Sequence, residues 1–173
     1  MILEAISNRR ACRTFLADPV PLELIEELIH AGQYAPTARH IKSVEYIFVT
    51  DEKTHRAIAG ALVPQDFVAT APVIIVPVAD TKTASKPRED LTLATANIWL
   101  QAAHLGLGCV WKHVHDGEEQ EKLRAVLGIP EHYLVINVLP IGYPAETLAP
   151  HTDEEFDPKK IHREKWRRRE SEY

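Results

Sequence analysis

Apolar side chains recur along the chain with two different periods, and segments of the two kinds alternate. Helical spacing, with apolar residues every three or four positions, predicts amphipathic helices over residues 21–32, 51–62 and 118–127. Continuous apolar runs rich in β-branched residues predict buried strands over residues 44–50, 73–79, 109–114 and 134–141. The order of these elements predicts a mixed chain of helices and strands without internal repeats.

Residues 90–106 form the longest predicted helix, and apolar side chains cover almost its whole circumference. One stripe consists of Leu91, Ala94, Ile98, Ala102 and Leu105. The other faces carry Leu93, Ala96, Trp99, Leu100 and Ala103. A helix of this kind must be buried on several sides. In a chain of 173 residues it therefore runs through the core or lies in a dimer interface.

Length and composition are those of one soluble globular domain, with 45% hydrophobic and 26% charged residues. No apolar run approaches the roughly 20 residues of a membrane-spanning helix, so no membrane association is expected. A formal net charge of −5 gives no general attraction to nucleic acids. Cys12 and Cys109 lack C-x-x-C spacing, so no disulfide framework is predicted and the cytoplasm is the expected location.

Three arginines, Arg9, Arg10 and Arg13, lie within five residues just before the first predicted amphipathic helix. Because the chain is acidic overall, a local anion explains this cluster better than a general attraction to polyanions does. Guanidinium groups pair well with phosphate oxygens, so one interpretation is a site for the phosphate of a small cofactor. The other interpretation is a solvated charge run near a terminus, and the residues alone leave both open.

The character of the chain changes near residue 150, which divides it into a domain over residues 1–150 and an arm over residues 151–173. The arm is polar, and a helix is predicted over residues 159–170. Its apolar residues, Phe156, Ile161 and Trp166, are spaced too widely to close a core of their own. The arm is therefore either an anchor that packs on a neighbouring subunit or a solvated tail.

The nine histidines raise the question of a metal site. His113 and His115 alternate along a predicted strand, so they share one face of it. No H-E-x-x-H motif or paired Cys/His spacing is present, and no metal is predicted. The sequence also lacks the nucleophile motif of acyl hydrolases and the glycine motif of dinucleotide-binding folds. The two cysteines are expected to be small core residues.

Six motifs, in order along the chain, resemble those of the nitroreductase family of flavin-dependent oxidoreductases. They are RRACRTF at 9–15, AGQYAPTA at 31–38, APVIIV at 71–76, AAHLGLGCVW at 102–111, LGIPE at 127–131 and IGYP at 141–144. The ending from FD at 156–157 through KIH at 160–162 to Trp166 is similar to that of small family members. The resemblance therefore covers nearly the whole chain.

The resemblance implies an α+β fold, a three-layer sandwich in which helices flank a central, mostly antiparallel sheet. It also implies a homodimer that binds two FMN molecules at the subunit interface. The implied activity is a ping-pong reaction: NADH or NADPH reduces the flavin at N5, and a small acceptor such as a nitroaromatic or quinone then takes the electrons. The alternative is a specialised relative that binds flavin without reductase turnover.

The resemblance assigns no catalytic side chain, because the chemistry takes place at the flavin N5. It implies that Arg9, Arg10 and Arg13 bind the FMN phosphate and ribityl chain, with a backbone contact from Ala11. Many family members add a basic residue from the tail near the phosphate, whereas the start of the tail offers none here. The arginines are therefore expected to act alone or with Lys159.

Two further segments are expected at the flavin ring by the same resemblance. Thr37 and His40 are expected near the ring from the partner chain. The backbone of Trp111, Lys112 and His113 is expected along the N5 and O4 edge, where an N–H group can donate to N5. Many members have small residues after this tryptophan, so the bulk and charge here are expected to narrow the substrate site.

The loop at residues 40–44 departs from the family, whose members usually have an asparagine and a glutamine there that contact the flavin. This chain has HIKSV instead, which puts His40 and Lys42 at those positions. A histidine can still donate one hydrogen bond. Lys42 either places a positive charge near the pyrimidine edge of the flavin or points to solvent.

We expect the Lys42→Gln variant to have a lower FMN midpoint potential than the wild type. A cation near the pyrimidine edge stabilises the anionic reduced flavin, and the substitution removes that charge. Redox titration of the two proteins measures the difference. An unchanged potential would mean that Lys42 points to solvent.

Overall fold

The computed structural model describes residues 2–166 of the chain. Its helices are α1 (Glu4–Asn8), α2 (Leu22–Gln33), α3 (Glu52–Ala61), α4 (Asp66–Thr70), α5 (Pro87–His104) and α6 (Glu118–Leu127). Its strands are β1 (Val44–Val49), β2 (Val73–Asp80), β3 (Gly108–Cys109), β4 (Lys112–His113), β5 (Tyr133–Leu134) and β6 (Asn137–Gly142). Short 3-10 turns occur at Ala38–His40, Asp153–Glu155 and Pro158–Lys160. No helix within residues 2–166 is long and apolar enough to cross a membrane.

The strands form one sheet around β2 and β6, and the pairs between them are antiparallel. Strand β2 pairs with β1, β5 and β6, and β6 also pairs with β3 and β4. The register places Ile47 opposite Val76 and Ile75 opposite Leu139. All but the last residue of β2 are buried, as its unbroken apolar run predicts. The predicted antiparallel sheet with flanking helices is confirmed.

Helices cover both faces of the sheet, so the fold has three layers. Ile74 of β2 lies in a cluster with residues of α3, α4 and α6, among them Leu123. Its neighbour Ile75 points to the opposite face and lies in a second cluster with residues of α2 and α5, among them Ile98. All four side chains are fully buried. The two clusters form the hydrophobic core on either side of β2.

Several helix ends match the signals in the sequence. Helix α6 has the predicted bounds and ends at Gly128, which adopts a left-handed conformation with φ of 68°. Asp51 caps α3 by accepting a hydrogen bond from the backbone N–H of Thr54 at 2.8 Å. Helix α5 begins earlier than predicted, at Pro87, because proline suits the first helical position. Helices α1 and α4 were not predicted, since five residues are too few to establish a period.

Two predicted strands are each divided in two, which corrects the sequence prediction. Strands β3 and β4 are separated by Val110 and Trp111, and β5 and β6 are separated by Val135 and Ile136. The half-buried Trp111, at one of these breaks, packs against a cluster that contains Leu91 of α5 and Ile136. Backbone hydrogen bonds from Val110 to Pro140 at 3.3 Å and from Val114 to Ile136 at 2.9 Å keep the chain on both sides of the first break along β6.

The helix predicted over residues 159–170 is absent from the part that the structure describes, residues 159–166. The chain there makes a single 3-10 turn, Pro158–Lys160, followed by bends. The side chain of Asp157 accepts a hydrogen bond from the backbone N–H of Lys159 at 2.9 Å, which caps this turn locally. The rest of the predicted helix, residues 167–170, lies outside the described residues.

Gly108 of β3 and Gly142 of β6 lie opposite each other, and neither position has room for a side chain. A Cβ atom at Gly108 would lie 2.5 Å from Sγ of Cys12. A Cβ atom at Gly142 would lie 2.5 Å from Cδ of Pro72 and 3.2 Å from Cδ1 of Phe15. The glycine pair therefore allows the N-terminal segment to approach the sheet closely.

The segment that follows α1 is hydrogen-bonded to the sheet beside this glycine pair. Ala11 forms a parallel β-bridge with Cys109, and the backbone N–H of Cys12 donates to the carbonyl oxygen of Cys109 at 3.1 Å. Phe15 forms an antiparallel bridge with Pro144. These contacts fix the backbone of the segment that carries the three arginines.

We expect the Gly142→Ala variant to be less stable than the wild type by about 1–3 kcal/mol, because the added Cβ would overlap Pro72. Gly60→Ala is the matched control. Gly60 lies in α3 with no atom within 4 Å of the position of an added Cβ, so alanine should stabilise the protein by about 0.5–1 kcal/mol. Urea unfolding of both variants measures the two effects, and a Gly142→Ala variant as stable as the wild type would contradict the packing argument.

Candidate functional site

The arginines of the N-terminal segment differ in their surroundings. Arg13 is exposed, with its guanidinium carbon 6.0 Å from the centre of the Phe67 ring. Arg9 is half-buried, and its guanidinium carbon lies 4.6 Å from the centre of the Trp99 ring. Trp99 also donates a hydrogen bond from Nε1 to the carbonyl oxygen of Arg10 at 3.3 Å. A cation over an indole face is favourable, so α5 supports this segment through Trp99.

Arg10 is bonded to the C-terminal tail, residues 149–166. Its Nε donates to the carbonyl oxygen of Ala149 at 2.8 Å, and its Nη2 donates to Oε1 of Glu155 at 2.6 Å. Within residues 2–166, neither Arg9 nor Arg13 forms an ion pair with a carboxylate. Two of the three guanidinium groups are therefore without a carboxylate partner in the described part of the chain.

The tail also brings a histidine to this segment, which the sequence did not lead us to expect. His151 lies with Nδ1 2.6 Å from Oε2 of Glu155 and with Nε2 3.1 Å from Nη2 of Arg9. Hydrogen bonds from His151 and from Arg10 lower the pKa of Glu155 to about 2. Glu155 is therefore ionised at neutral pH, and it connects the tail to the arginine segment.

The loop between α2 and β1 holds two consecutive residues in the left-handed region, Arg39 with φ of 57° and His40 with φ of 58°. This conformation is unfavourable for residues other than glycine, so the surroundings must impose it. The backbone N–H of Ala38 donates to Oδ1 of Asp90, at the start of α5, at 2.9 Å. Asp90 is only 1% exposed, and its Oδ2 has no hydrogen-bond partner among the described residues.

Thr37 and Lys42, on either side of this left-handed pair, line one cleft of about 320 Å³. Tyr46 of β1 and Ala94 of α5 contribute to its walls. Burial raises the pKa of Tyr46, so its phenol stays protonated and available as a donor. His40 is exposed and does not line the cleft.

The three residues predicted at the N5 edge alternate in exposure along β4 and the residue before it. Trp111 is half-buried, Lys112 is 5% exposed and His113 is exposed. Lys112 lies opposite Val138 in the sheet. The rings of His113 and His115 meet edge to face with 4.8 Å between their centres, so these two residues share one face as predicted.

Glu119 of α6 fixes the chain just after this segment, and the sequence did not reveal its role. Its carboxylate accepts hydrogen bonds from the backbone N–H groups of Val63 at 2.7 Å and His115 at 2.8 Å. Partial burial alone would raise the pKa of Glu119, but these hydrogen bonds and the nearby charge of Lys112 lower it to about 2. Acidic residues are common in the first turn of a helix, where they complement the helix dipole. The sequence alone therefore does not show that Glu119 also binds two backbone N–H groups of other segments.

A family model supports the resemblance seen in the sequence. The model of the nitroreductase family matches residues 6–63 and 58–143. The chain belongs to the nitroreductase family. A protein of Methanothermobacter thermautotrophicus, provisionally named NADH dehydrogenase/NAD(P)H nitroreductase, is 37% identical over 169 residues, which cover 95% of this chain and 87% of that protein. A protein of Archaeoglobus fulgidus with the same provisional name is 35% identical over 170 residues, which cover 95% of this chain and 98% of that protein.

Solved structures of nitroreductases have the same fold. A protein of Parabacteroides distasonis, with the same provisional name, superposes with a TM-score of 0.88 at 33% identity, covering 94% of this chain and 97% of that chain. An FMN-dependent nitroreductase of Clostridium difficile superposes with a TM-score of 0.90 at 27% identity, covering 95% of this chain and 100% of that chain. The predicted family and fold class are therefore confirmed.

A single chain brings some of the predicted site residues together and keeps others apart. The arginines and Ala11 lie along one segment beside β3, where Trp99 supports them. The loop with Thr37 and Lys42 is held by Asp90, nearer the start of α5. Asp90 and Trp99 are nine residues apart in the helix, or about 13 Å along its axis. The two groups of residues therefore lie at separate places on α5 within one chain.

The side chains of the arginine segment fit the phosphate of FMN. Arg9 and Arg13 offer planar guanidinium donors that no carboxylate occupies among residues 2–166. Such donors match phosphate oxygens in pairs. The bridge from Ala11 to Cys109 fixes the backbone between them. The donor set is therefore suited to a phosphate.

We expect the Glu119→Gln variant to be less stable than the wild type at pH 7, by on the order of 2–3 kcal/mol. A carboxyl group whose pKa is lowered on folding stabilises the folded protein above its ordinary pKa of 4.5, and that contribution is lost as the pH falls toward about 2. The difference between variant and wild type should therefore shrink from pH 7 to pH 3. Urea unfolding at both pH values measures it.

Glu121→Gln is the control for this prediction, because Glu121 is exposed on the same helix. It should change stability little at either pH. A stability difference for Glu119→Gln that is equal at pH 7 and pH 3 would mean that the ionised carboxylate does not hold His115 and Val63.

Proposed function

We propose that the protein is an FMN-dependent oxidoreductase that passes electrons from NADH or NADPH to a small acceptor such as a nitroaromatic or a quinone. The observation that carries the proposal is the pair of guanidinium groups of Arg9 and Arg13, held on a fixed segment without carboxylate partners among residues 2–166. The dependence on FMN stated for the Clostridium difficile relative supports it.

In this proposal Arg9 and Arg13 bind the phosphate, and the backbone at Ala11 completes the contact. Each charge-assisted hydrogen bond to phosphate contributes roughly 1.5–3 kcal/mol. The resemblance implies that Arg10 also binds the phosphate. In this proposal it does not, because its donors are bonded to the tail. It holds the segment in place while its two neighbours face the ligand.

Bound FMN supplies hydride and electron transfer at its N5 atom. Thr37, His40 and Lys42 contribute donors and a positive charge near the ring from the partner chain. The backbone of residues 111–113 provides N–H groups along the N5 and O4 edge. Packing of Trp111 against the cluster that contains Leu91 and Ile136 holds one side of that stretch, and Glu119 holds the chain beyond it.

The proposed reaction needs a site that two small molecules can use in turn. The chain between β1 and β2 folds into α3 and α4, whose residues Ile58, Phe67 and Val68 are buried in the core. This connection therefore packs under the sheet and supplies no long insertion that could cover a ligand. An open face suits a reaction in which NAD(P)H leaves before the acceptor binds.

We also propose that the protein is a homodimer with a flavin site at the interface. Large apolar side chains are exposed in the single chain: Leu93 of α5 at 43%, Phe156 and Ile161 of the tail at 65%, and Trp166 at 74%. Covering such surfaces stabilises an assembly.

Residues 1–150 form the flavin-binding domain, and residues 151–173 form an arm. Arg10 holds the base of the arm on its own chain while its apolar end packs on the partner.

The visible absorption spectrum of the purified protein tests the proposed activity. We expect flavin bands near about 370 and 450 nm that bleach when NADH or NADPH is added without oxygen. Bands that persist would favour a relative that binds flavin without reductase turnover. A colourless protein that takes up no added FMN would contradict the proposal.

Sedimentation equilibrium tests the dimer. We expect a mass of about 39 kDa, twice that of the 19.5 kDa chain. Leu93→Asp should shift the protein toward the monomer, because it places a charge on the exposed apolar face of α5. Val126→Asp is the control, since Val126 is exposed on α6. A wild-type protein that sediments as a monomer at micromolar concentration would contradict the dimer.

A further inference from the structure

The base of the C-terminal tail is fixed against the N-terminal segment by backbone and side-chain bonds. Thr152 and Glu155 form a capping box around the 3-10 turn Asp153–Glu155. The backbone N–H of His151 donates to the carbonyl oxygen of Ser7, in α1, at 2.7 Å. These bonds place the side chains of His151 and Glu155 beside the arginine segment.

His151 contacts both Glu155 and Arg9 through its ring nitrogens. An ionised carboxylate can only accept, so Nδ1 carries a hydrogen and donates it to Oε2 of Glu155 at 2.6 Å. Nε2 lies 3.1 Å from both Nη2 and the backbone carbonyl oxygen of Arg9, so it accepts from the guanidinium when it is unprotonated and donates to the carbonyl when it is protonated. Glu155 thereby orients the imidazole, and the imidazole orients the guanidinium of Arg9.

Three nitrogen atoms of the Arg10 guanidinium donate hydrogen bonds to the tail. Besides its bond to Ala149, its Nη2 donates to the carbonyl oxygen of Pro150 at 3.1 Å and to Oε1 of Glu155 at 2.6 Å. Nη1 donates to Oε2 of Glu155 at 3.4 Å. The carboxylate of Glu155 therefore links Arg10 directly, and Arg9 through His151, to one turn of the tail.

Arg9 is held between two aromatic groups. The Trp99 ring centre lies 4.6 Å from its guanidinium carbon, and Nε2 of His151 lies 3.1 Å from Nη2. A guanidinium group has five donors, so this arrangement leaves others for a phosphate. A long side chain restrained in this way loses less conformational entropy when it binds a ligand.

We propose that Glu155 and His151 are positioning residues that set the guanidinium group of Arg9 for the FMN phosphate, with Arg10 as the anchor of the tail. This inference rests on the proposed function. Many family members are expected to place a basic residue from the tail near the phosphate. In this chain an acidic residue and a histidine would act from the tail instead.

Titration of the flavin-free full-length protein with FMN and with riboflavin, which lacks the phosphate, tests the proposal by flavin fluorescence. We expect Glu155→Gln and His151→Ala each to weaken FMN binding about tenfold and to leave riboflavin binding unchanged. Arg13→Gln gives the reference for loss of a direct phosphate contact. Glu154→Gln removes the same charge from the exposed neighbouring residue and should leave both affinities unchanged.

A conservative variant distinguishes loss of the hydrogen bond to Arg9 from loss of side-chain volume at His151. His151→Gln should regain part of the FMN affinity lost in His151→Ala, because its amide oxygen can accept a hydrogen bond from Arg9. Failure of glutamine to do better than alanine would count against the bond to Arg9.

Other outcomes would overturn the proposal in recognisable ways. Tighter FMN binding by Glu155→Gln would mean that the carboxylate competes with the phosphate. Equal weakening of FMN and riboflavin binding would mean that the tail only stabilises the fold. If Arg13→Gln alone loses FMN affinity, this inference fails and the proposed phosphate site stands. If the wild type binds FMN no more tightly than riboflavin, the proposed phosphate site fails as well.

Discussion

The close approach of two backbone segments at Gly108 and Gly142 is the constraint on which the rest of the candidate site depends. A side chain at Gly108 would occupy the space of Cys12 and push the N-terminal segment off the sheet, and one at Gly142 would overlap Pro72 and crowd Phe15. Because the segment lies against β3, its backbone loses its freedom during folding and not when a ligand binds. The guanidinium groups it carries are therefore positioned in advance, which a flexible N-terminal tail could not achieve.

Two glutamates extend this rigidity to segments that lack regular secondary structure. Glu119 holds the chain after β4, and Glu155 holds the base of the tail, each by accepting several hydrogen bonds. The pKa of each is lowered to about 2, so both remain ionised throughout the neutral range. Neither stands out in the sequence, which contains 25 acidic residues.

The fold could be predicted where a segment carries its own signals. Helix α6 has an acidic first turn and a glycine at its end, and β2 is an unbroken run of β-branched residues. The divided strands could not be predicted, because the apolar runs over residues 109–114 and 134–141 are continuous in the sequence. The arginine segment could be recognised from its composition and its family motif. The ion pair that binds the guanidinium of Arg10 could not, because its partner Glu155 is 145 residues away. Nothing in the local sequence distinguishes Glu155 from Glu154.

Both cysteines are buried where the N-terminal segment meets β3, beside the glycine pair. Burial raises the pKa of both the Cys12 and the Cys109 thiol, so both remain protonated at neutral pH. Quinones are electrophiles, and it is the thiolate, not the thiol, that adds to an electrophile. The chain has no other cysteine. Both thiols are therefore poor nucleophiles toward electrophilic compounds that meet the protein.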